Sequence, residues 1–172
     1  FTVWKSKTSP NSQRPLRVGF VSGDLRFHPV GLFLHNTLGS LNSEKIACIA
    51  YSNCTTEDDY SRKLRPLFAE WNDVSVLDDA SLALKIHNDA IDLLIDLAGH
   101  TGRNRLSVFA WHPAPVQAAW LGYWASTGLT EMDYLLVDRA SVREDEAEHY
   151  SERLWFLPGT RMCFSPLHTP ES

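Results

Sequence analysis

The chain has 172 residues, 44% hydrophobic and 22% charged, which suits one globular domain with a sizeable core. A formal net charge of −5 argues against a nucleic-acid-binding platform. No apolar run nears the ~20 residues of a membrane span, residues 1–14 lack the apolar core of a signal peptide, and three cysteines without CxxC spacing read as reduced thiols in a cytoplasmic setting. Phe1 stands in place of a Met, so a signal upstream of it is left open.

Residues 1–14, rich in Ser, Thr, Lys and Asn, read as a linker or tail. Leu16, Val18, Phe20 and Val21 predict a buried strand over 16–22. Pro29 suits the first turn of a helix, and Val30, Phe33, Leu34, Leu38 and Leu41 carry that helix over 29–41. Ile46–Tyr51 is a second strand. Thr56-Glu57-Asp58-Asp59 opens a helix through Tyr60, Leu64 and Phe68 that Pro66 divides. Val74–Leu77 predicts a third strand, and Asp78 or Asp79 caps a helix to about Asn88. Ile91–Leu97 is the next strand. Gly99-His100-Thr101-Gly102 turns the chain into a helix over 103–111. Val116–Leu121 is a strand and 122–128 an aromatic and glycine loop. Tyr134–Val137 follows, then a capping box at Ser141–Glu144 opening a short helix to Tyr150, then a strand at Leu154–Leu157. Residues 158–172, with three prolines, read as an exit stretch. Strands alternating with helices predict an α/β fold: a Rossmann-like parallel sheet with helices on both faces.

If the sheet is parallel, three strand-to-helix turns share its carboxyl edge, where open α/β sheets hold ligands. The first turn brings Asp24 and His28, the next Asp96, His100 and Thr101, the third Trp120, Tyr123, Ser126 and Thr127. GxGxxG and Walker A patterns are both absent. His28 reads two ways: as a neutral base or donor in a cleft, or as the cap of its own helix. Asp96 faces a ligand or ties down the next loop, and His100 is a site residue or a turn residue. Trp120 and Tyr123 line a sugar or base site or pack in the core. No HxH or HxxxH pair is present, so no local metal site is expected. On the residues alone, a stand-alone flavodoxin-like module that binds a nucleotide without catalysis stays open.

Several stretches carry a resemblance. They are Arg17–Ser22 through His28-Pro29, Gly99–Asn104, Pro113-Ala114-Pro115-Val116-Gln117-Ala118-Ala119-Trp120-Leu121-Gly122-Tyr123, Ser126–Gly128 and Met132–Tyr134. In order and spacing this set resembles the catalytic region of O-linked N-acetylglucosamine transferases, bacterial members above all. The resemblance implies a two-lobed GT-B glycosyltransferase. Residues 15–165 would be its amino-terminal lobe and 166–172 the exit toward a second Rossmann-like lobe, with tetratricopeptide repeats preceding. It implies inverting, metal-independent transfer from UDP-N-acetylglucosamine to Ser or Thr hydroxyls of proteins, with most donor contacts on the second lobe. The chain alone is then expected to be inactive. By this resemblance His28 matches the histidine discussed as catalytic base, and Thr101 a loop residue near the sugar. His100 follows the bacterial pattern, and His112 departs from the usual Arg. The expected site is His28 as catalytic residue, with Asp24, Asp96, His100, Thr101, Trp120, Tyr123 and Thr127 on substrate.

Overall fold

The computed structural model describes residues 14–164. Seven strands form one parallel sheet: β1 (Leu16–Ser22), β2 (Ile46–Ser52), β3 (Glu70–Asp73), β4 (Leu93–Asp96), β5 (Val116–Ala119), β6 (Tyr134–Val137) and β7 (Arg153–Phe156). Their order is β3-β2-β1-β4-β5-β6-β7. The chain steps outward from β1 to β3, then returns to place β4 on the other flank of β1. Strand order therefore reverses between β1 and β4, and open α/β sheets hold their ligands at the carboxyl ends of such a pair.

The apolar pattern sorts onto two faces because successive side chains alternate across a strand. On one face Val21, Ile49, Tyr51 and Leu94 pack beneath α3 (Asp79–Asn88) and α4 (Leu106–Phe109) through Leu82, Ile86 and Phe109. On the other, Val18, Phe20, Cys48, Ala50 and Ile95 pack beneath α1 (Pro29–Gly39) and α2 (Asp59–Leu64) through Val30, Leu34 and Leu64. Beyond α1 that second face continues as a shallow apolar groove over β4–β7, with Leu93, Val116, Leu136 and Trp155 among its walls.

Four expected elements differ, each for a local reason. The strand predicted at Val74–Leu77 is instead β3, Glu70–Asp73. An edge strand has one free flank and does not need an apolar run, and the Asp73 carboxylate turns the chain at once by accepting the Ser75 N–H at 3.0 Å. The helix predicted over 103–111 is only Leu106–Phe109, because Arg103 takes a left-handed φ of 58°. β5 stops at Ala119, two residues early, where Leu121 turns at φ 74°. Ser141 does not cap the next helix. Its hydroxyl donates to the Asp138 carboxylate at 2.7 Å, and the Glu146 carboxylate accepts the Arg143 N–H at 3.0 Å to open a 3-10 segment over Glu144–His149.

Of the stretch read as a tail, residues 1–13 lie outside the described residues. Arg14 grips the Asp92 carboxylate with two bonds of 2.8 Å. Of the exit stretch, 165–172 lie outside. Within the rest, the Arg161 N–H donates to Asp138 at 2.7 Å and the Arg161 carbonyl accepts the Trp120 indole N–H at 3.0 Å, which ties this segment back to the sheet.

Candidate functional site at the carboxyl edge of the sheet

Two clusters stand on this edge, and both hang from the loop that follows β4. The first begins at the end of β1. His28 is the N-cap of α1: its extended backbone lets the ring turn back, and Nδ1 accepts the Val30 N–H at 3.3 Å. With Nδ1 accepting, the neutral imidazole carries its hydrogen on Nε2. The buried Asp24 carboxylate lies 4.0 Å from Nδ1. It also meets the guanidinium groups of Arg26 at 3.2 Å and Arg103 at 3.9 Å, so one carboxylate is shared by two arginines and an imidazole. Gly23 is the residue that lets Arg103 come so near, since a Cβ there would stand 3.0 Å from Arg103 Cβ.

Buried Asn53, just past β2, ties the loops together. Its N–H donates to the Ser22 carbonyl at 2.8 Å, its amide donates to the Arg103 carbonyl at 3.0 Å, and its amide oxygen accepts from Arg105 at 3.1 Å. The carboxyl ends of β1 and β4 are thus cross-braced from the β2 side.

The second cluster is His100, Thr101, Tyr123 and Thr127 above Asp96. Asp96 is buried, and its two oxygens accept the Ala98 and Gly99 N–H groups at 3.2 and 2.6 Å. Burial pushes its carboxyl up to about 6, against the opposing pull of those N–H groups and of His100. Asp96 shapes the loop from below. Thr101 donates its hydroxyl to the Ala98 carbonyl at 2.7 Å. His100 is exposed, with Nε2 3.2 Å from the Ser126 carbonyl and its ring edge-on to Tyr123 at 5.4 Å. The β4 and β5 loops touch because Gly99 and Gly122 lack side chains. A Cβ on Gly99 would lie 2.3 Å from Tyr123 Cβ, and one on Gly122 would lie 1.9 Å from the Leu97 carbonyl oxygen.

Of the eight expected site residues, Asp24 and His28 meet directly, as do His100 and Tyr123. Trp120 turns inward, buried with Leu25, Leu34 and Leu97. Thr127 is buried as well and bonded to Glu152. Asp96, Trp120 and Thr127 border a narrow seam between the β4 and β5 loops. Arg26, Arg103, Asn53 and Glu152 were not anticipated. Of these, Asn53 lies where the sequence points to the edge, two residues past the apolar run Ile46–Tyr51. Among the described residues no group of three His, Cys, Asp or Glu side chains is arranged to hold a metal ion. No helix among them is long and apolar enough to cross a membrane.

Strand order, with its reversal between β1 and β4 and a histidine beside it, defines a Rossmann-like lobe with a candidate ligand site at its carboxyl edge. Comparison with known proteins narrows this class. The chain belongs to glycosyl transferase family 41, whose sequence profile matches residues 2–165. It is 31% identical over its whole length to a protein of Arabidopsis thaliana named as probable UDP-N-acetylglucosamine–peptide N-acetylglucosaminyltransferase SPINDLY, covering 19% of that protein. It is 32% identical over 83% of its length to the SEC protein of the same plant, covering 15% of it. The chain is similar in structure to part of a mutant O-GlcNAc transferase of Thermobaculum terrenum, with a TM-score of 0.91 and 39% identity. The match covers 97% of this chain and 32% of that one. The chain thus spans about a fifth of the length of the curated relatives it matches.

Proposed function

We propose that this chain is the amino-terminal lobe of a protein O-GlcNAc transferase, moving N-acetylglucosamine from UDP-N-acetylglucosamine to Ser or Thr hydroxyls. The observation that carries the reading is the likeness to the Thermobaculum terrenum enzyme along almost the whole lobe. Membership of a glycosyltransferase family favours it over a ligand-binding module without catalysis. Transfer needs a group at the acceptor hydroxyl and positive charge for the leaving diphosphate. On our reading this lobe supplies the first. The second comes from a lobe outside this chain, with tetratricopeptide repeats preceding this one and no metal taking part.

His28 is the residue we place on substrate. Its cap bond leaves Nε2–H as the group free to meet a ligand, so the resting ring donates a hydrogen bond to sugar or leaving-group oxygen. To take a proton from the acceptor, the ring must first release the Val30 N–H. Asp24, sharing its charge with Arg26 and Arg103, holds the rim in place.

His28→Asn in the intact protein tests this, because asparagine is as good an N-cap as any residue and keeps α1 in place. We expect turnover of UDP-N-acetylglucosamine with a protein acceptor to fall at least ~100-fold with the melting temperature retained. An asparagine variant that turns over like the parent places His28 outside the chemistry. The 172-residue chain by itself is expected to be inactive.

A further inference from the structure

We propose that Glu152 is the positioning residue of this edge: a buried carboxylate that fixes the loop over 122–128 and, through it, selects which nitrogen of His100 meets the substrate. The proposal rests on the transferase reading above. Glu152 lies just before β7, is 5% exposed, and has no ion-pair partner among the described residues. A buried carboxylate with no cation is costly unless hydrogen bonds replace its water.

All of those bonds come from one loop. The Thr127 N–H donates to Oε1 at 2.6 Å, the Thr127 hydroxyl donates to the same oxygen, and the Ser126 hydroxyl donates to Oε2 at 2.9 Å. Each ligand then holds its neighbours. Ser126 Oγ accepts the Gly128 and Ser151 N–H groups at 3.1 and 3.2 Å, and Thr127 Oγ1 accepts the Leu129 N–H at 3.3 Å. One carboxylate therefore orders four consecutive residues, 126–129.

The outer side of that loop reaches His100. The Ser126 carbonyl stands 3.2 Å from His100 Nε2. A carbonyl only accepts, so His100 must donate from Nε2. Its neutral ring then carries the hydrogen on Nε2 and offers Nδ1 as an acceptor. Tyr123, on the same loop, packs its ring against the imidazole at 5.4 Å and limits its rotation. If Glu152 lets go, the Ser126 carbonyl is no longer held, and His100 loses both its tautomer and its orientation. An acceptor nitrogen suits a sugar hydroxyl or the acceptor hydroxyl.

Glu152→Gln in the intact protein is the test, since glutamine turns an NH2 toward donors and keeps only one acceptor oxygen. Thr127→Ala, which removes one ligand and keeps the N–H, is the milder companion should the first variant not fold. Three readouts are taken. Hydrogen exchange of the 122–130 backbone is expected to accelerate at least ~10-fold, and the His100 ring nitrogen shifts are expected to lose the pattern of an Nε2–H tautomer. Turnover of UDP-N-acetylglucosamine is expected to drop at least ~10-fold in an otherwise unaltered protein and not to drop further when His100→Ala is already present. Equal losses in both backgrounds, or unchanged exchange, overturn the proposal. A parent protein that uses no UDP-sugar refutes the transferase reading instead, and the exchange measurement then decides the role of Glu152.

Discussion

Replacing Asp96 by Asn removes a buried carboxyl that braces the β4 loop. Burial carries this group from its ordinary 3.8 to about 6, and the bonds from Ala98 and Gly99 do not cancel it. In the unfolded chain the same carboxyl loses its proton near 3.8. Between those values the folded chain binds more protons, so the group's contribution to stability declines as pH rises from about 4 to about 6 and is level above that. Each tenfold change in acidity is about 1.4 kcal/mol, so the whole decline is about 3 kcal/mol. Asparagine does not titrate. It keeps one acceptor oxygen and sets an NH2 against the other N–H, a loss of about 1–3 kcal/mol that is the same at every pH. The stability of the parent relative to Asp96→Asn should therefore be about 2 kcal/mol more favourable at pH 4 than at pH 7, the rest of the decline lying below pH 4. Urea unfolding of the 172-residue chain across that range, followed by tryptophan fluorescence, measures it. Distant carboxylates such as Asp138, held down to about 2 by hydrogen bonds from Arg161 and Ser141, titrate alike in both proteins and drop out. A difference that is flat with pH, or that grows as pH rises, would falsify the assignment of Asp96 as a desolvated carboxyl.

Gly122→Ala sets a Cβ 1.9 Å from the Leu97 carbonyl oxygen, so the β5 turn must move off the β4 loop. A loss of about 2 kcal/mol or more is expected by chemical denaturation, while Gly159→Ala, with nothing within 4 Å of its Cβ, stays within about 0.5 kcal/mol of the parent. The three thiols should separate by reactivity. Cys163 is exposed and Cys54 partly so, whereas burial pushes the Cys48 thiol up to about 11. Maleimide labelling should reach the first two quickly and Cys48 only after unfolding; three fast labels in the native chain contradict the packing beneath α1.

The fold was legible where local and tertiary demands agree. Pro29 marks the first turn of α1, so His28 falls at the cap without knowledge of any other residue. The apolar runs at Leu16–Val21 and Ile46–Tyr51 announce strands covered on both faces, and these are the inner strands β1 and β2. β3 was missed because it lies at the edge and carries Glu70 and Asp73 where an inner strand carries valine or isoleucine. At the site, the sequence placed histidines and carboxylates on one edge but left their partners open. Asp96 read as ligand contact or, more readily, as loop brace, and its two N–H bonds make it the brace. Glu152 sits between Ser151 and Arg153 in a stretch that reads as surface, and its burial is decided by a loop 25 residues away. Gly102 announces a turn, but it is the following Arg103 that takes the left-handed conformation, which its residue type does not signal.

That all seven strands run the same way divides the chain into segments that tolerate added length and segments that do not. The exposed turn over 40–45, between α1 and β2, lies on the amino edge and touches none of the groups around His28 or His100. A reporter peptide spliced there lengthens the chain on the far side of the sheet from those groups. The same peptide between Gly99 and Gly102 parts the one loop from which both clusters hang. A scan of insertions along the gene is therefore expected to sort by edge, with viable sites at the entrances of strands and dead ones at their exits.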